Sequence, residues 1–306
     1  MFPRRLALIA GALAVLAISA DAQVIPRIPV PLRSGIDLTV VAATVFNAEG
    51  GLATGLDRDA FEVFEDGEPV PVAQFTNERV PIGLGLLLDV SDSMYGRRIA
   101  EARAAVQRFL LDLLAPSDEY FLIAFNQSPK QLTDWTRDAD IVHNGLEAAR
   151  PSGGTALYDA IKFALPSIER RHNQRAALVL ITDGADTASD ITLRELRSAL
   201  LRSDAFVYAI AIDSPDPQPI NTRVNPVALA DITVPTGGHT EIIHDSTDLA
   251  AATARIADEL NSQYVLGYIT PHPHDGQFHS IRVRVKHEGY KVKARNGYIA
   301  LPVQHR

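Results

Sequence analysis

Two patterns of hydrophobic and polar positions succeed each other along this chain. Residues 32–80 and 264–301 contain short apolar runs with partial alternation of polar residues, separated by turns that contain Gly and Asp or Asn. This pattern predicts β-strands. Residues 81–263 instead combine continuous apolar runs with segments in which apolar residues recur every three or four positions. The continuous runs predict strands buried on both faces, and the other segments predict amphipathic helices.

The central segment therefore predicts strands that alternate with helices. Its expected strands lie at residues 82–88, 120–125, 176–182, 205–212 and 239–243. Such alternation favours an α/β fold with a Rossmann-like, doubly wound, mostly parallel sheet that carries helices on both faces. In these folds ligands bind at the carboxyl ends of the strands, near the point where the strand order reverses.

The two outer segments predict a second, smaller structure. The sequence Glu65-Asp66-Gly67-Glu68 lies between apolar runs, and Asp-Gly in this position predicts a tight hairpin in which both central residues have positive φ. In the last segment, residues 278–286 alternate most clearly between apolar and polar positions. We expect residues 32–80 and 264–303 to pair as two halves of a small β-sandwich, into which residues 81–263 are inserted.

The first 22 residues have the form of a secretory signal. Two arginines precede an apolar run over residues 6–20, and Ala20-Asp21-Ala22 has the small-x-small form of a cleavage site. The run is shorter than the roughly 20 residues that a membrane-spanning helix needs. We therefore predict a cleaved signal peptide at 1–22, a Pro-rich linker at 23–31, and export to the periplasm or the extracellular space. An uncleaved anchor and a short buried helix are the alternatives.

Composition narrows the classes of partner. Hydrophobic residues make up 46% of the 306 residues and charged residues 22%, which is ordinary for a globular protein. The formal net charge of -8 argues against nucleic acid or an anionic membrane surface as the partner. The chain has no cysteine, which excludes disulfides, thiolate metal sites and cysteine nucleophiles. No later apolar run is long enough to span a membrane, so we expect no span after signal cleavage.

Hard oxygen groups follow two of the predicted central strands. Asp89, Ser91 and Ser93 stand at alternate positions directly after an apolar run, and alternate side chains of an extended backbone point the same way. Asp183 follows a second apolar run, and Thr155 follows two glycines. Oxygen ligands with two carboxylates suit Mg²⁺ or Mn²⁺. As an alternative, each of these residues by itself is common as a helix cap or in a turn at a strand end.

The pattern Asp89-x-Ser91-x-Ser93, followed by Thr155 and Asp183, resembles the metal-ion-dependent adhesion site of von Willebrand factor type A (VWA) domains. The resemblance implies the VWA fold for the central segment and a divalent cation, Mg²⁺ or Mn²⁺, held by these five residues. It also implies that an open coordination position accepts a carboxylate from a partner protein. On this basis we expect a protein-binding or adhesion module and not an enzyme.

The flanking segments extend this resemblance. Residues 56–61, Tyr264-Val265-Leu266-Gly267-Tyr268 and Asn296-Gly297-Tyr298 are similar to segments of a bacterial family of exported VWFA-related proteins. The resemblance then covers nearly all of the chain after the signal segment. It leaves the identity of the partner open.

Two other functions are compatible with the same residues. A structural or assembly factor would use the metal only to stabilise its fold and would bind through the β-sandwich. A Mg²⁺-dependent hydrolase would resemble the haloacid dehalogenase phosphatases, which need an Asp-x-Asp pair. Here Ser91 stands at the second position, so the proton donor is missing, and Gly153-Gly154-Thr155 lacks the Lys of a phosphate loop.

Other polar residues are expected to have structural roles. Asp92 has the wrong phase for a ligand, and Asp186 is expected in a turn, with a water-mediated contact to the site as the alternative. His272, His274 and His279 are expected as solvated side chains of a Pro-rich turn, since no acid or histidine at helical spacing accompanies them. A second metal site is the alternative there.

Basic residues alternate on the last two long predicted strands. We expect them to form one strip on a solvated sheet face, which protects the sheet against aggregation, with a docking surface for an acidic partner as the alternative. The residues are Arg282, Arg284, Lys286, Lys291, Lys293 and Arg295.

Overall fold

Strands make up both ends of the described chain, and strands alternate with helices in between. A computed structural model describes residues 38–213 and 223–302; the predicted signal peptide at 1–22 and linker at 23–31 lie outside these ranges. The strands are β1 (Leu38–Phe46), β2 (Phe61–Glu65), β3 (Glu68–Val70), β4 (Val72–Thr76), β5 (Ile82–Asp89), β6 (Glu119–Phe125), β7 (Pro129–Thr136), β8 (Arg175–Thr182), β9 (Phe206–Ile212), β10 (Thr240–Ile243), β11 (Tyr264–Ile269), β12 (Phe278–Val285), β13 (Lys291–Ala294) and β14 (Gly297–Ile299). The helices are α1 (Arg97–Arg108), α2 (Ala139–Ala148), α3 (Leu157–Glu169), α4 (Leu193–Leu200), α5 (Pro226–Thr233) and α6 (Leu249–Asn261). None of these described helices is both long and apolar enough to cross a membrane.

The central sheet has the order β10-β9-β8-β5-β6-β7. Its first five strands are parallel to one another, and β7 pairs antiparallel with β6 at the edge. Every residue of β5, β6, β8 and β9 is buried, as their continuous apolar runs predict. The predicted doubly wound, mostly parallel sheet is confirmed. The polar strand β7 was not expected, because it has no apolar run.

Helices cover both faces of this sheet. One apolar core joins α1, α2 and α6 to one face, through residues such as Val106, Val142 and Ile256. A second core joins α3, α4 and α5 to the opposite face, through residues such as Ile161 and Leu196. Within the described ranges, helices therefore cover both faces of the sheet, and its strand ends and connecting loops remain open to ligands.

The outer segments form two four-stranded antiparallel sheets. Their orders are β13-β1-β11-β4 and β14-β12-β2-β3, so each sheet combines strands from before and after the central segment. In the first sheet Val41 lies opposite Leu266, and in the second Val63 lies opposite Val283. The inward side chains of both sheets share one apolar core. The expected β-sandwich with an inserted α/β part is confirmed.

Just after the first hairpin of the sandwich, the chain passes from one sheet to the other. Asp66 and Gly67 adopt the positive φ values, 50° and 88°, that an Asp-Gly turn predicts. After Pro71 the chain leaves the hairpin: β3 pairs with β2, whereas β4 pairs with β11 in the other sheet. Proline has no N–H to donate to a ladder, which explains the break at this residue.

The expectation that the basic residues of the last strands form a single strip is wrong. Strand β12 pairs with β2 and β14, whereas β13 pairs with β1 in the other sheet. Two of the basic residues are also paired with acids, since Arg284 Nε donates to Glu62 at 2.6 Å and Lys293 Nζ donates to Glu259 at 3.3 Å. These residues stabilise separate sheets and do not form a continuous charged surface.

Candidate metal centre

The candidate residues gather where the strand order of the central sheet reverses. From β5 the chain passes to β6 on one side, and it later returns to β8 on the other side. Asp89 is the last residue of β5, and Asp183 directly follows the end of β8. The two strands are parallel neighbours, with Leu88 opposite Ile181. Both carboxylates therefore stand at the switch point, which is where ligands bind in such sheets.

Asp89 is buried completely, with 0% of its surface exposed. Its Oδ1 accepts a hydrogen bond from the backbone N–H of Ser91 at 2.8 Å, and its Oδ2 accepts one from the hydroxyl of Thr182 at 2.6 Å. Burial raises the pKa of Asp89 to about 7; the two hydrogen bonds oppose this, and the charge of Asp183 adds to it. Thr182 was not among the predicted site residues.

Ser91 and Ser93 connect the two carboxylates, since the backbone N–H of Ser91 bonds to Asp89 and the two hydroxyls continue the chain of contacts to Asp183. Ser91 Oγ lies 3.1 Å from Ser93 Oγ, and Ser93 Oγ donates to Asp183 Oδ1 at 2.6 Å. A 3-10 turn brings the serines together, and the fully buried side chain of Met94 anchors this turn in the core. Four of the five predicted residues thus form one hydrogen-bonded group, with Asp89 at one end and Asp183 at the other.

Thr155 reaches this region on a third loop. The loop is tied to the β5 end by two backbone hydrogen bonds: Asp92 N donates to Gly153 O at 2.9 Å, and Ser152 N donates to Val90 O at 2.8 Å. Gly153 has a φ of +74°, a conformation that favours glycine. Thr155 itself is 5% exposed. The structure therefore fixes its loop beside the carboxylate pair.

Asp186 caps a helix, in agreement with the structural role expected from the sequence. Its Oδ1 accepts hydrogen bonds from Leu157 N at 2.9 Å and Tyr158 N at 3.3 Å, which are the first two N–H groups of α3. The hydroxyl of Ser189 donates to the same oxygen. Asp92 is exposed, as its phase in the sequence predicts. Asp186 thereby links the loop after β8 to the helix that follows Thr155.

Arg98 is a component of the site that the sequence analysis missed. Its Nη1 donates to Asp183 Oδ2 at 2.9 Å and to the backbone oxygen of Ser93 at 3.0 Å. Burial raises the pKa of Asp183, while the hydrogen bond from Ser93 and the charge of Arg98 oppose this rise. Side chains in the first turn of a helix lean back towards the preceding loop, so the position of Arg98 at the start of α1 was the available signal.

These residues fit a small, hard dication. All donors are oxygens, two of them are carboxylates, and the remaining groups are neutral hydroxyls. Asp89 is a buried carboxyl whose negative charge burial disfavours, and a bound cation would reverse that penalty. Asp89, Ser91, Ser93, Thr155 and Asp183 are therefore the residues that could hold such an ion.

The histidines of the β11–β12 turn do not all behave as expected. His272 and His274 are exposed, but His279 is buried with 5% exposure. The expectation of a solvated side chain is wrong for His279, because it lies inward on β12 and hydrogen-bonds to Asp66 and Asp275. Asp66 comes from a distant part of the chain, so spacing in the sequence did not reveal it. Asp275 stands only four residues before His279, so the sequence did offer this acidic partner and the expectation overlooked it.

Comparison with known proteins agrees with the fold of the central segment. The family model of the von Willebrand factor type A domain matches residues 84–185. The chain is 26% identical over 126 residues to inter-alpha-trypsin inhibitor heavy chain H4 of Bos taurus, covering 36% of this chain and 13% of that protein. It is 26% identical over 116 residues to the minor fimbrium subunit Mfa5 of Porphyromonas gingivalis, covering 35% and 9% respectively. The chain therefore spans only a small part of these curated relatives.

A solved structure shows that the likeness of fold extends beyond the matched residues. The von Willebrand factor type A structure from Catenulispora acidiphila matches 90% of this chain and 76% of that chain, with a TM-score of 0.53 and 14% sequence identity. At this identity the likeness concerns the fold alone.

Proposed function

Because residues 84–185 are a von Willebrand factor type A domain, we propose that this protein is an exported module that binds a partner protein through a divalent cation. The observation that carries the proposal is the hydrogen-bonded group of Asp89, Ser91, Ser93 and Asp183 at the switch point of the sheet. The names of the relatives support it, since one of them is a fimbrium subunit.

In this proposal, Asp89, Ser91, Ser93, Thr155 and Asp183 hold Mg²⁺ or Mn²⁺. When bound, the ion acts as a Lewis acid that attracts a carboxylate from the partner. Two carboxylates only balance the charge of a dication, and neutral hydroxyls add no further negative charge. An acidic side chain of the partner is therefore the ligand that completes the coordination shell.

The surface beside the site suits protein binding. Tyr95 follows the serine turn directly and is 77% exposed, although it is a large aromatic residue. Exposed tyrosines are frequent in the energetic centres of protein interfaces, since they offer a large rigid contact area. In the proposal, Tyr95 packs against the partner while the partner's carboxylate approaches the ion.

The domain limits and the export signal belong to the same proposal. We assign residues 1–22 to a cleaved signal peptide, 23–31 to a linker, 81–263 to the inserted domain, and 32–80 with 264–303 to the β-sandwich. Mass spectrometry of the secreted or periplasmic protein tests the first assignment. A mature N-terminus at Gln23 supports cleavage after Ala22, and an intact N-terminus contradicts it.

Calorimetric titration with Mg²⁺ tests the metal site, and the choice of variants makes the test specific. Asp89→Asn keeps the shape of the side chain but removes its charge, so we expect Mg²⁺ binding to be lost. Asp92→Asn is the matched control, because Asp92 is a neighbouring acid with an exposed side chain. Equal Mg²⁺ binding by Asp89→Asn and the unchanged protein would contradict the assignment.

Affinity capture from an envelope extract tests the partner. The mature protein serves as bait with Mg²⁺ at about 1 mM, a typical concentration for extracytoplasmic cation sites, or with excess chelator. A partner retained only with Mg²⁺, and not by Asp89→Asn, supports cation-dependent binding. Equal retention under both conditions favours the second candidate, an assembly factor whose β-sandwich binds the partner and whose metal stabilises the fold.

A further inference from the structure

A second group of metal-ligating side chains lies in the β-sandwich, away from the site at Asp89. Glu65 and Asp66 stand at the end of β2, His279 lies on β12, and His272 lies in the turn before β12. Each of these four residues offers a nitrogen or carboxylate oxygen, and the four atoms lie within 4.8 Å of one another. Side chains of these types at this spacing can bind one metal ion together.

Glu65 supplies the observation that points most directly to a ligand. It is 2% exposed, and its Oε1 accepts a hydrogen bond from the Thr270 hydroxyl at 2.7 Å. Its Oε2 is buried and has no hydrogen-bond partner among the described residues, although the hydroxyl of Tyr268 is near enough for Glu65 to add to the rise that burial causes in the pKa of Tyr268. A buried carboxylate oxygen without a partner is costly, and a bound cation would satisfy it. The bond from Thr270 meanwhile holds the carboxylate in a fixed orientation, as outer-shell groups do for metal ligands.

Carboxylates lie at both ring nitrogens of His279, and a carboxylate also orients many metal-binding histidines. Its Nδ1 lies 2.7 Å from Asp66 Oδ2, within the group, and its Nε2 lies 3.0 Å from both carboxylate oxygens of Asp275. A carboxylate on the far ring nitrogen orients the imidazole and increases its basicity as a ligand. Asp275 would take this role, which leaves Nδ1 directed at Asp66 and the rest of the group.

A simpler account is an ion triad, with a charged His279 between Asp66 and Asp275. That account explains the hydrogen bonds that join Asp66, His279 and Asp275. It does not explain the unpaired oxygen of Glu65. His272 stacks on His279 in this arrangement, with ring centroids 4.7 Å apart and planes at 4°.

We propose that Glu65, Asp66, His272 and His279 form a binding site for a transition-metal dication of the Zn²⁺ class. Two imidazole nitrogens and two carboxylate oxygens are the borderline donor set that Zn²⁺ and its neighbours prefer, whereas Mg²⁺ prefers oxygen alone. The site is therefore distinct in chemistry, as well as in position, from the oxygen site at Asp89.

Binding requires only the exposed ligands to move. Ligand atoms around tetrahedral Zn²⁺ are roughly 3.4 Å apart for bonds of about 2.0–2.1 Å, so the group must contract. Glu65 and His279 are buried, whereas Asp66 and His272 are exposed. Asp66 Oδ1 accepts a hydrogen bond from Ser280 N at 2.8 Å, so His272 is the ligand that moves most. A metal lies in the plane of each imidazole that binds it, so His272 must tilt out of its stack on His279.

The position of the site gives it a function in the fold. Two ligands come from the segment before the inserted domain and two from the segment after it. A metal bound there would fasten the two halves of the β-sandwich to each other across the insertion. Metal ions that bind only the folded state stabilise it in proportion to their occupancy.

Zn²⁺ titration of the full-length protein tests the proposal, in the presence of excess Mg²⁺ so that the oxygen site is saturated. We expect one Zn²⁺ per chain and an increase of a few degrees in the melting temperature. His272→Ala should weaken binding at least about tenfold, and Glu65→Gln should do the same. His272 is exposed, so its replacement leaves the fold intact and keeps the test valid even if Glu65→Gln misfolds.

Two controls make the result specific. His274→Asn removes a histidine of the same turn that is outside the group; asparagine tolerates the φ of 59° at this position. Asp89→Asn removes the oxygen site, and both variants should bind Zn²⁺ normally. Substitution with Co²⁺ should give the visible absorption of a four-coordinate site, which His272→Ala should lose. Unchanged Zn²⁺ binding in His272→Ala, or no Zn²⁺ binding by the unchanged protein, overturns the proposal.

Discussion

At the scale of single residues, the burial of Asp89 determines how the proposed metal site and the stability of the protein are connected. Asp89 is 0% exposed and lies beside a second buried carboxylate, Asp183. Without a cation, the fold must either bury two negative charges or keep a proton on one of them. The metal-free fold is therefore destabilised at this site, and a bound dication would remove the destabilisation. This predicts that the free energy of unfolding depends on pH.

Stability of the metal-free protein should fall as the pH rises from about 4 to about 7. Burial raises the pKa of Asp89 from 3.8 to about 7. An acid with a raised pKa in the folded state stabilises the fold below its unfolded pKa, and this contribution is lost as the pH rises through the folded pKa. Relative to Asp89→Asn, the loss should be roughly 4 kcal/mol of unfolding free energy. Urea unfolding with chelator at a series of pH values measures it.

The same experiment contains its own controls. Asp92→Asn should retain the full pH dependence, because Asp92 is exposed. Saturating Mg²⁺ should remove the dependence, since the ion replaces the proton as the group that neutralises Asp89. Suppose that the free energy of unfolding changed with pH in the same way for the unchanged protein and for Asp89→Asn. The pKa of Asp89 would then not be raised in the folded protein.

Arg98 provides a second prediction at this scale. Its Nη1 donates a hydrogen bond to Asp183 Oδ2 at 2.9 Å, so the guanidinium places a positive charge beside the proposed cation site. Arg98→Met preserves much of the side-chain volume and removes the charge. We expect Mg²⁺ affinity to rise by roughly threefold or more, and the metal-free protein to lose about 1–3 kcal/mol of stability because Asp183 loses its partner.

Arg97→Met is the matched control for this prediction. Arg97 precedes Arg98 on α1, but its side chain is 65% exposed and pairs with Glu101. Removing it should leave Mg²⁺ affinity nearly unchanged, since exposed charges are screened. Calorimetric titration of both variants decides the matter. Weaker Mg²⁺ binding by Arg98→Met would show that Arg98 positions Asp183 and does not compete with the ion.

The sequence could predict that some residues of the candidate site lie together, where their positions follow from one periodic pattern. Asp89, Ser91 and Ser93 alternate after a strand, and the structure joins them to Asp183 as expected. Thr182 and Arg98 were missed because their contacts depend on which strands and helices become neighbours. That information is set by packing over long distances in the chain, which spacing alone does not carry.

At the scale of elements, the helix that follows Thr155 depends on a residue from another loop. Helix α3 has Ala156 at its N-cap position, and Ala156 has no side-chain oxygen to cap it. Asp186 caps the helix instead, from the loop after β8. The stability of α3 and the position of the Thr155 loop are therefore coupled to the same carboxylate.

Asp186→Ala should consequently affect both stability and metal binding. Loss of a helix cap typically costs about 1–2 kcal/mol, and the loosened loop should weaken Mg²⁺ binding. Thr192→Ala is the matched control: Thr192 caps α4 through a capping box with Glu195 and belongs to no candidate ligand set. It should also destabilise the protein but leave Mg²⁺ affinity unchanged. Equal Mg²⁺ affinity in both variants would show that the capping of α3 by Asp186 does not affect metal binding.

Elements with a strong hydrophobic pattern were predicted well, and the exceptions have physical reasons. The four long buried strands of the central sheet stand where their apolar runs predicted. Strand β7 was not predicted because an edge strand needs few buried residues. Its position depends on contacts such as the edge-to-face packing of Trp135 against Phe121, with ring centroids 4.6 Å apart. The break at Pro71 depends on a proline whose effect is seen only once both sheets are known.

At the scale of the whole molecule, the chain crosses twice between the β-sandwich and the inserted domain. The crossings lie near Val80 and between Leu260 and Tyr264. Arg175, the first residue of β8, binds both of them: Nη1 donates to Val80 O at 2.9 Å, and Nη2 donates to Leu260 O at 2.7 Å. Nη2 also donates to the side chain of Gln263. One buried guanidinium thus joins both crossings to the central sheet.

Arg175→Met should therefore uncouple the two parts of the molecule. Arg175 is 6% exposed, so a methionine fills similar space but leaves the carbonyls of Val80 and Leu260 without their donor. Breaking such a buried network costs roughly 2–5 kcal/mol. We expect the single thermal transition of the unchanged protein to separate into two, one for the sandwich and one for the inserted domain. Differential scanning calorimetry measures both transitions.

The control for this prediction is Arg197→Met on α4. Arg197 is 53% exposed and its contact with Asp231 is long, at 3.8 Å, so its removal should leave one transition at nearly the same temperature. Mg²⁺ should then raise only the transition of the inserted domain in Arg175→Met, and Zn²⁺ only that of the sandwich. A single transition in Arg175→Met that responds to both ions would mean that the apolar contacts between the parts suffice for cooperative unfolding without the buried guanidinium.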